Sequence, residues 1–429
     1  MKKTRYLLIG AGVSAARAVE SIRQIDSRGS IVLVGREPVL PYDRPPLSKE
    51  LLRGEIHRKS IRCKPRRYYW RKRVRLLLGK SVESIDLAGS PRTARLSNGE
   101  TITFEKCLIA TGAEPKRLPV PGSDLEGVYL LRTLSDARRL ASGAARALRM
   151  SKAVGGGRAV VVGAGFVGME TASSLSALGL AVTVIEQKDQ VWPGFADRET
   201  AQRIARFLEA HGVPILLGET VKEIRPADGT KVAGTVVTSS GSAIPCSLVC
   251  VAVGVSPNVR IAEEAGLLVD DGVIVDANMQ ARYNGGEPAV GVFAAGDIAR
   301  FPDPFFSRIR RVEHYGQAEY TGLLAGTNMA GLERSYDLLT YVWSDLFDMH
   351  IEFAGDPAPA DRYLLRDIPA ENRFVTLSLR KGRLVAFLAV NWPEADFGPL
   401  RFMIQQRVDL SGMERSLADP DEPLSALIH

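Results

Sequence analysis

Cysteine is scarce in this chain. There are four in 429 residues: Cys63, Cys107, Cys246 and Cys250. That count at that length excludes a small disulfide-stapled scaffold. None stands at a spacing that would complete a zinc site with histidines, so no metal site is expected. Cys246 and Cys250 lie in CSLVCVAVG, which reads as a strand. Residues that share a strand face lie well apart along it, so this pair is expected to be buried and inert. Long hydrophobic runs are missing too. No stretch reaches the ~20 apolar residues of a membrane span. Hydrophobic residues make up 45% and charged residues 24%, which excludes disordered and collagen-like chains. Acid is absent from one long stretch, Arg58 to Arg75 (RKSIRCKPRRYYWRKRVR), where much of the net charge of +7 sits. A charge run is usually a solvated face, here a helix flank and the start of a strand. The sharper alternative is a docking patch for an acidic partner protein or for nucleic acid.

What is present is organised around the first stretch. Tyr6 to Ile9 is a short apolar run of the kind that forms a buried parallel strand. Gly10-Ala11-Gly12-Val13-Ser14-Ala15 follows at once. This is the G-x-G-x-x-G/A turn that opens a dinucleotide-binding helix. Gly10 permits the tight turn, Gly12 lets a pyrophosphate approach the backbone, and Ala15 keeps helix and strand close. Helical spacing continues to Ile25. A second strand, Ile31 to Val34, leads to Glu37, the first carboxylate placed to take a ribose hydroxyl. The start of the chain has the look of a short signal peptide. The same residues form the strand and phosphate turn, however, so a cytoplasmic protein is expected.

A second unit repeats the first. Ala159 to Val162 is a strand, and Gly163-Ala164-Gly165-Phe166-Val167-Gly168 is its turn. A helix runs from Met169 to about Leu178, with Gly179 placed to stop it, and the strand Ala181 to Ile185 ends in Glu186. One such turn is weak evidence; two complete units imply two bound dinucleotides. A hairpin is expected after each: Ser81 to Phe104, turned at Ser97-Asn98-Gly99, and Val221 to Ala243. The first is expected to form a small antiparallel sheet apart from the doubly wound core. Strands ending in glycine close each half, at Thr111-Gly112 and at Gly254. The order motif, strand, hairpin, strand, glycine therefore occurs twice, as an internal duplication would give.

Between and beyond these units the signals are of other kinds. Pro41 to Leu52 is a proline-fixed loop in which Ser48 could cap a short helix. Its cations, Arg44 and Lys49, could face a phosphate or a ring edge, or Arg44 could be a plain surface charge. Ala137 to Met150 reads as a helix, and Gly155-Gly156-Gly157 as a flexible joint. Gly291 to Asp297 is a further strand with a carboxylate at its carboxyl end, where ligands of α/β sheets bind; the bland alternative is a strand-ending turn. From Ser335 the composition shifts to aromatics among strand-like alternations such as Val375 to Leu379 and Leu384 to Val390, which predicts a separate α+β domain.

The motifs PYDRPPLSKELL, FEKCLIATGAEP, GAGFVGMETA, VAVGVSPN, VFAAGDIA and RRVEHYGQAEYTGLLAGTNMAG resemble the FAD-dependent pyridine nucleotide reductases. Within them the chain is similar to the ferredoxin, rubredoxin and putidaredoxin reductase branch, to which apoptosis-inducing factor belongs. The resemblance implies an α/β fold with two Rossmann-like, glutathione-reductase-type FAD and NAD domains plus a C-terminal α+β domain. It places FAD in 1–128 and 256–334, NAD in 129–255, and the C-terminal interface domain in 335–429.

On the same resemblance Gly10, Gly12, Ala15, Glu37, Arg44, Lys49, Val82, Thr111, Gly112, Arg132 and Asp297 would contact FAD. Glu313, His314 and Tyr315 would line the remainder of the isoalloxazine site. Gly163, Gly165, Phe166, Val167, Gly168, Glu186 and Gly254 would hold the nicotinamide cofactor. Lys49 and Glu170 would pair beside the flavin as the catalytic residues, Lys49 stabilising the charge that arrives with hydride. A structural ion pair is the bland alternative. Glu186 should bond both ribose hydroxyls and repel a 2′-phosphate, favouring NADH, with Lys188 nearby as the one feature that could weaken this preference.

PYDRPPLSK lacks the cysteines that disulfide reductases and peroxidases of this class carry, so electrons must leave otherwise. The expected function is an NADH-dependent flavoprotein reductase that passes single electrons to a ferredoxin-type iron–sulfur protein. Two alternatives stay open: a redox-sensing flavoprotein like apoptosis-inducing factor, and an NADH oxidase or quinone reductase without a protein partner. Nucleic-acid binding is disfavoured, no membrane span is expected, and a homodimer is compatible with the chain.

Overall fold

The computed structural model describes residues 2–151 and 157–428. Gly155 and Gly156 of the expected joint fall outside them. The chain forms two compact units. One comprises Met1–Arg44, Lys59–Glu114 and Ser256–Thr340; the other comprises Pro45–Arg58, Pro115–Val255 and Tyr341–His429.

The first unit is built on a largely parallel sheet. Its strands run in the order Gln280–Arg282, Pro288–Ala294, Thr101–Ile109, Lys2–Ile9, Ile31–Gly35, Val74–Leu78. Ile9 stands beside both Val34 and Ile109, so the carboxyl ends of the central strands align just where the first glycine turn begins. Tyr6, Leu7, Leu8 and Leu33 are fully buried, as an apolar strand covered on both faces requires. The Val13–Ile25 helix covers one face together with the Tyr315–Met329 helix. Glycines set their close approach. A Cβ at Gly322 would strike the backbone of Ser14, and one at Gly326 the backbone of Ala18.

Two details differ from the sequence reading. The Val82–Asp86 and Arg92–Leu96 strands are not a separate sheet. Arg92–Leu96 pairs antiparallel with the first half of Thr101–Ile109 on one side, while that strand runs parallel to Lys2–Ile9 along its length on the other. One long strand thus belongs to both pairings, and the Ser97–Gly99 turn only reverses the chain into it. The Leu134–Ser151 helix also begins earlier than the alanine-rich pattern suggested. Thr133 and Asp136 form a reciprocal cap, the Thr133 N–H donating to Asp136 (2.8 Å) and the Asp136 N–H to the Thr133 hydroxyl (3.1 Å).

The second unit contains three sheets. A parallel one runs Ile215–Leu217, Ala181–Glu186, Arg158–Val162, Leu248–Val251, Val128–Leu130. A three-stranded antiparallel one is formed by Val221–Pro226, Ala233–Thr238 and Ala243–Pro245. The third is the five-stranded antiparallel sheet of the C-terminal region, in the order Tyr341–Leu346, Met349–Gly355, Arg383–Val390, Arg373–Arg380, Arg362–Ile368. It joins the core of the parallel sheet through Phe195 against Phe353, 5.0 Å between ring centroids, and through Thr200 to Thr376, 2.5 Å apart. Helix Phe397–Gln405 closes the C-terminal sheet over Phe387. Among the described residues no helix is long and apolar enough to cross a membrane.

Candidate functional site

The two units carry the same cradle. In the first, Gly10 has φ +113°, and a Cβ there would run into the carbonyl of Ala110. In the second, Gly163 has φ +104°, and a Cβ would run into the carbonyl of Ala252. Only glycine fits either position. The hydrogen bonds match as well. Gly10 N–H donates to Val34 and Ala110 N–H to Ile9; Gly163 N–H donates to Ile185 and Ala252 N–H to Val162. Two residues on, Gly12 and Gly165 are the N-caps of their helices, extended and without a side-chain cap. A Cβ at either would meet nothing within 4 Å. Each cradle thus presents uncapped helix N–H groups to open space, as a pyrophosphate requires. The residues fit two dinucleotides. Ala15 is fully buried against the first strand, and Gly168 brings helix and turn so close that a Cβ would strike Gly163. Gly112 and Gly254 have φ +64° and +94° at the ends of the returning strands.

The acids that follow differ. Glu186 is nearly buried; its Oε2 accepts the Ala164 N–H at 2.7 Å and its Oε1 the Lys188 N–H at 2.9 Å. The carboxylate is therefore tied to the glycine turn itself. Glu37 is instead held by its own loop, accepting the Tyr42 hydroxyl at 2.8 Å and Arg44 at 3.3 Å. Arg44, expected to face a phosphate or a ring edge or to be a surface charge, pairs with Glu37. In the second cradle Phe166 packs on Trp192, 4.5 Å between centroids, while Val167 is exposed.

The rest of the first unit brings more of the expected residues together. Thr111 donates to the Asn258 carbonyl at 3.0 Å, and the Asn258 amide returns a bond to the Thr111 carbonyl at 2.9 Å. Asn258 was not singled out from the sequence; its VSPN setting was the available signal. Asp297 lies in a single turn of helix, Gly296–Ile298, nearly buried, with the Gly296 N–H donating to Thr321 at 3.0 Å. His314 stands at the N-cap position of the Tyr315–Met329 helix, without a side-chain cap bond. Burial pushes it down to about 4 despite the opposing charge of Asp297, so it is neutral at pH 7. Glu313 is exposed and accepts Arg311 at 2.6 Å. Tyr315 donates to Asp43 at 2.8 Å, which ties the 41–44 loop to the helix. Val82 is buried in its strand opposite Leu96. Arg132 lies in the second unit, its N–H donating to the Asp136 cap at 3.2 Å.

A charged cluster also occupies the second unit. Lys49 and Glu170, 121 residues apart in sequence, are both buried, with Nζ 3.4 Å from Oε1. Ser48 does not cap the short Glu50–Arg53 helix as expected; Lys49 stands at that position without a side-chain cap bond. The Ser48 hydroxyl donates instead to Glu170 Oε2 at 2.5 Å, and Ser344 donates to Oε1 at 2.8 Å. Burial alone would lower Lys49; the charges of Glu170 and Asp345 overcome it and hold the ammonium above its ordinary range. Burial pushes Glu170 up against the pull of Lys49 and the two serines. Ser344 and Asp345 were missed in the sequence, because alternation along a strand tells the face but not the partner.

The cysteines offer no reactive pair. All four are free; Cys246 and Cys250 are buried, with thiols pushed up to about 12 by burial. Cys63 is likewise raised, chiefly by burial, and donates to Asp43 at 3.2 Å. Among the described residues no group of acids, histidines and cysteines is arranged to hold a metal. In the basic stretch, Arg66, Arg67, Arg71, Lys72 and Arg73 are exposed around Trp70, itself 77% exposed.

Comparison with known proteins agrees with this geometry. Residues 4–322 match the family model for pyridine nucleotide-disulphide oxidoreductases, and residues 341–428 match the reductase C-terminal model. The chain is 33% identical to a probable ferredoxin reductase of Castellaniella defragrans, over 99% of this chain and 98% of that one. It is 30% identical to the ferredoxin–NAD(+) reductase component of the anthranilate 1,2-dioxygenase system of Burkholderia cepacia, over 94% and 95%. Among solved structures, the covalent putidaredoxin reductase–putidaredoxin complex superposes with a TM-score of 0.90 at 25% identity, covering 100% of this chain and 99% of that one. The chain belongs to the pyridine nucleotide-disulphide oxidoreductase family.

Proposed function

We propose that this protein is an NADH-dependent flavoprotein reductase that delivers single electrons to a ferredoxin-type iron–sulfur protein. The observation that carries this reading is the pair of matching cradles, one per unit, each open at its second glycine. Two dinucleotides in one chain make hydride transfer between them the natural chemistry. FAD is assigned to the first cradle and NADH to the second. Bound FAD supplies the chemistry that accepts hydride and releases electrons one at a time.

The protein's own residues bind and orient. The helix N–H groups behind Gly12 and Gly165 take the pyrophosphates. Glu186, fixed on the glycine turn, takes the ribose hydroxyls and repels a 2′-phosphate. Thr111, Gly112, Asp297 and neutral His314 are assigned to the flavin. Lys49, steadied by Glu170, offsets the negative charge that accompanies hydride. Disulfide exchange is disfavoured because it needs a thiolate, and burial raises the Cys63, Cys107, Cys246 and Cys250 thiols. The relatives named as ferredoxin reductases support the iron–sulfur acceptor. Free thiols throughout support a cytoplasmic location.

The test is steady-state NADH oxidation with and without an oxidised ferredoxin, read by cytochrome c reduction. Strong dependence on the ferredoxin supports the proposal. Equal NADH oxidation without it, matched by oxygen uptake, would replace it with an oxidase.

A further inference from the structure

One line of charges in the second unit runs on past the Lys49–Glu170 pair. Lys49 Nζ lies closer to Asp345 Oδ2, at 3.1 Å, than to Glu170 Oε1, at 3.4 Å. Asp345 faces His350 in antiparallel register, and its Oδ1 sits 2.7 Å from His350 Nδ1. His350 Nε2 lies 3.7 Å from Glu352 Oε1, and Glu352 Oε2 takes Arg401 at 3.2 Å. Side-chain exposure rises along this line, from 5% at Lys49 through 40% at Asp345 to 47% at His350. Charges of alternating sign therefore run from a buried ammonium to solvent.

We propose that Asp345 and His350 are positioning residues for the Lys49 ammonium, with the charge on His350 deciding how strongly Asp345 draws it. The inference rests on the reading that Lys49 serves the flavin. With His350 cationic, Asp345 is shared between two cations, and Lys49 is left to Glu170 and to charge arriving beside it. With His350 neutral, the charge of Asp345 falls on Lys49 alone. Charged groups act on this line from several elements, with Glu50 of the short Glu50–Arg53 helix acting on Lys49 beside Glu170. Asp345 comes from the neighbouring strand, Glu352 from His350's own strand, and Arg401 from the Phe397–Gln405 helix. Asp348 in the turn pairs with His211, and Arg53 acts on Asp345 from the 45–58 segment. The hydrogen bond to Asp345 and then the nearby Glu352 carboxylate raise His350 to about 9, and the bond from His350 lowers Asp345 to about 2. His350 is thus a cation below about pH 9 and loses its charge above it.

The test has two readouts on the flavin-loaded protein. The first is an NMR titration of the imidazoles, five in this sequence, with H350Q assigning one of them. His350 should titrate near 9 in the native protein and fall back toward the ordinary 6.5 in D345N. The second is the rate of flavin bleaching by NADH against pH. The native rate should fall through about pH 9. H350Q should lack that break and hold the high-pH rate throughout, and D345N should lack it too. An unchanged His350 titration in D345N, or a native break surviving in H350Q, overturns the inference. The variant K49R separates the two readings. If K49R bleaches like the native protein at every pH, the role of Lys49 fails. If K49R is slow while H350Q and D345N keep the native break, the inference alone fails.

Discussion

Gly163 and Gly165 stand two residues apart, yet their alanine variants should fail in opposite ways. At Gly163 the backbone sits at φ +104°, and an added Cβ would overlap the Ala252 carbonyl. That carbonyl belongs to the stretch leaving the Leu248–Val251 strand, so relief requires the sheet to shift. Backbone strain of this kind costs about 1–3 kcal/mol before any clash is counted. Gly163→Ala should therefore lower the urea midpoint markedly. At Gly165 the backbone is extended, and an added Cβ touches nothing within 4 Å. Gly165→Ala should lose less than about 1 kcal/mol of stability, the scale of an N-cap change. Its methyl would stand where a pyrophosphate must approach the helix N–H groups. Losing one or two charge-assisted bonds of about 1.5–3 kcal/mol each should weaken NADH binding roughly ten- to hundredfold or more. The assay pairs a urea melt with the NADH dependence of anaerobic flavin bleaching. A Gly165→Ala variant with native NADH affinity, or one as unstable as Gly163→Ala, would refute the reasoning.

Other expectations follow from the same geometry. Glu186→Ala should cut the preference for NADH over NADPH about tenfold or more, read as the ratio of kcat/KM values; an unchanged ratio would count against the ribose assignment. Gly322→Val should destabilise the first unit by about 1–3 kcal/mol and loosen FAD, because its side chain meets Ser14 backbone, which cannot rotate away; a native melt would contradict this. The His350 contribution to stability should be full below about pH 6.5 and fade as pH rises through about 9, since its folded value is raised; the midpoint difference between native protein and H350Q should shrink over that window.

Much of the fold was legible because its signals are local. The glycine turns announced both cradles, and period and composition announced the C-terminal sheet. Gly179 stopped its helix as expected, at φ +96°. The long Thr101–Ile109 strand was harder, since one run of residues pairs antiparallel at one end and parallel at both sides of the other. The capping pair Thr133 and Asp136 was readable but overlooked behind the alanine pattern. Lys49 and Glu170 could be joined only through family resemblance, because nothing local links residues 121 positions apart. Ser48, read as a helix cap, proved to serve Glu170 across that same gap. Asp345 and His350 had no local signal at all: their meaning arises from register between two strands and from a buried lysine far back in the chain.

The central claim is tested most directly by anaerobic titration of the purified protein with NADH and, separately, NADPH, followed in the visible flavin band. The account predicts a bound flavin, bleached rapidly by NADH and slowly by NADPH, whose colour returns when an oxidised ferredoxin is added. Purified protein with no flavin band, or flavin reduced by NADH that an oxidised ferredoxin leaves unchanged, would contradict it.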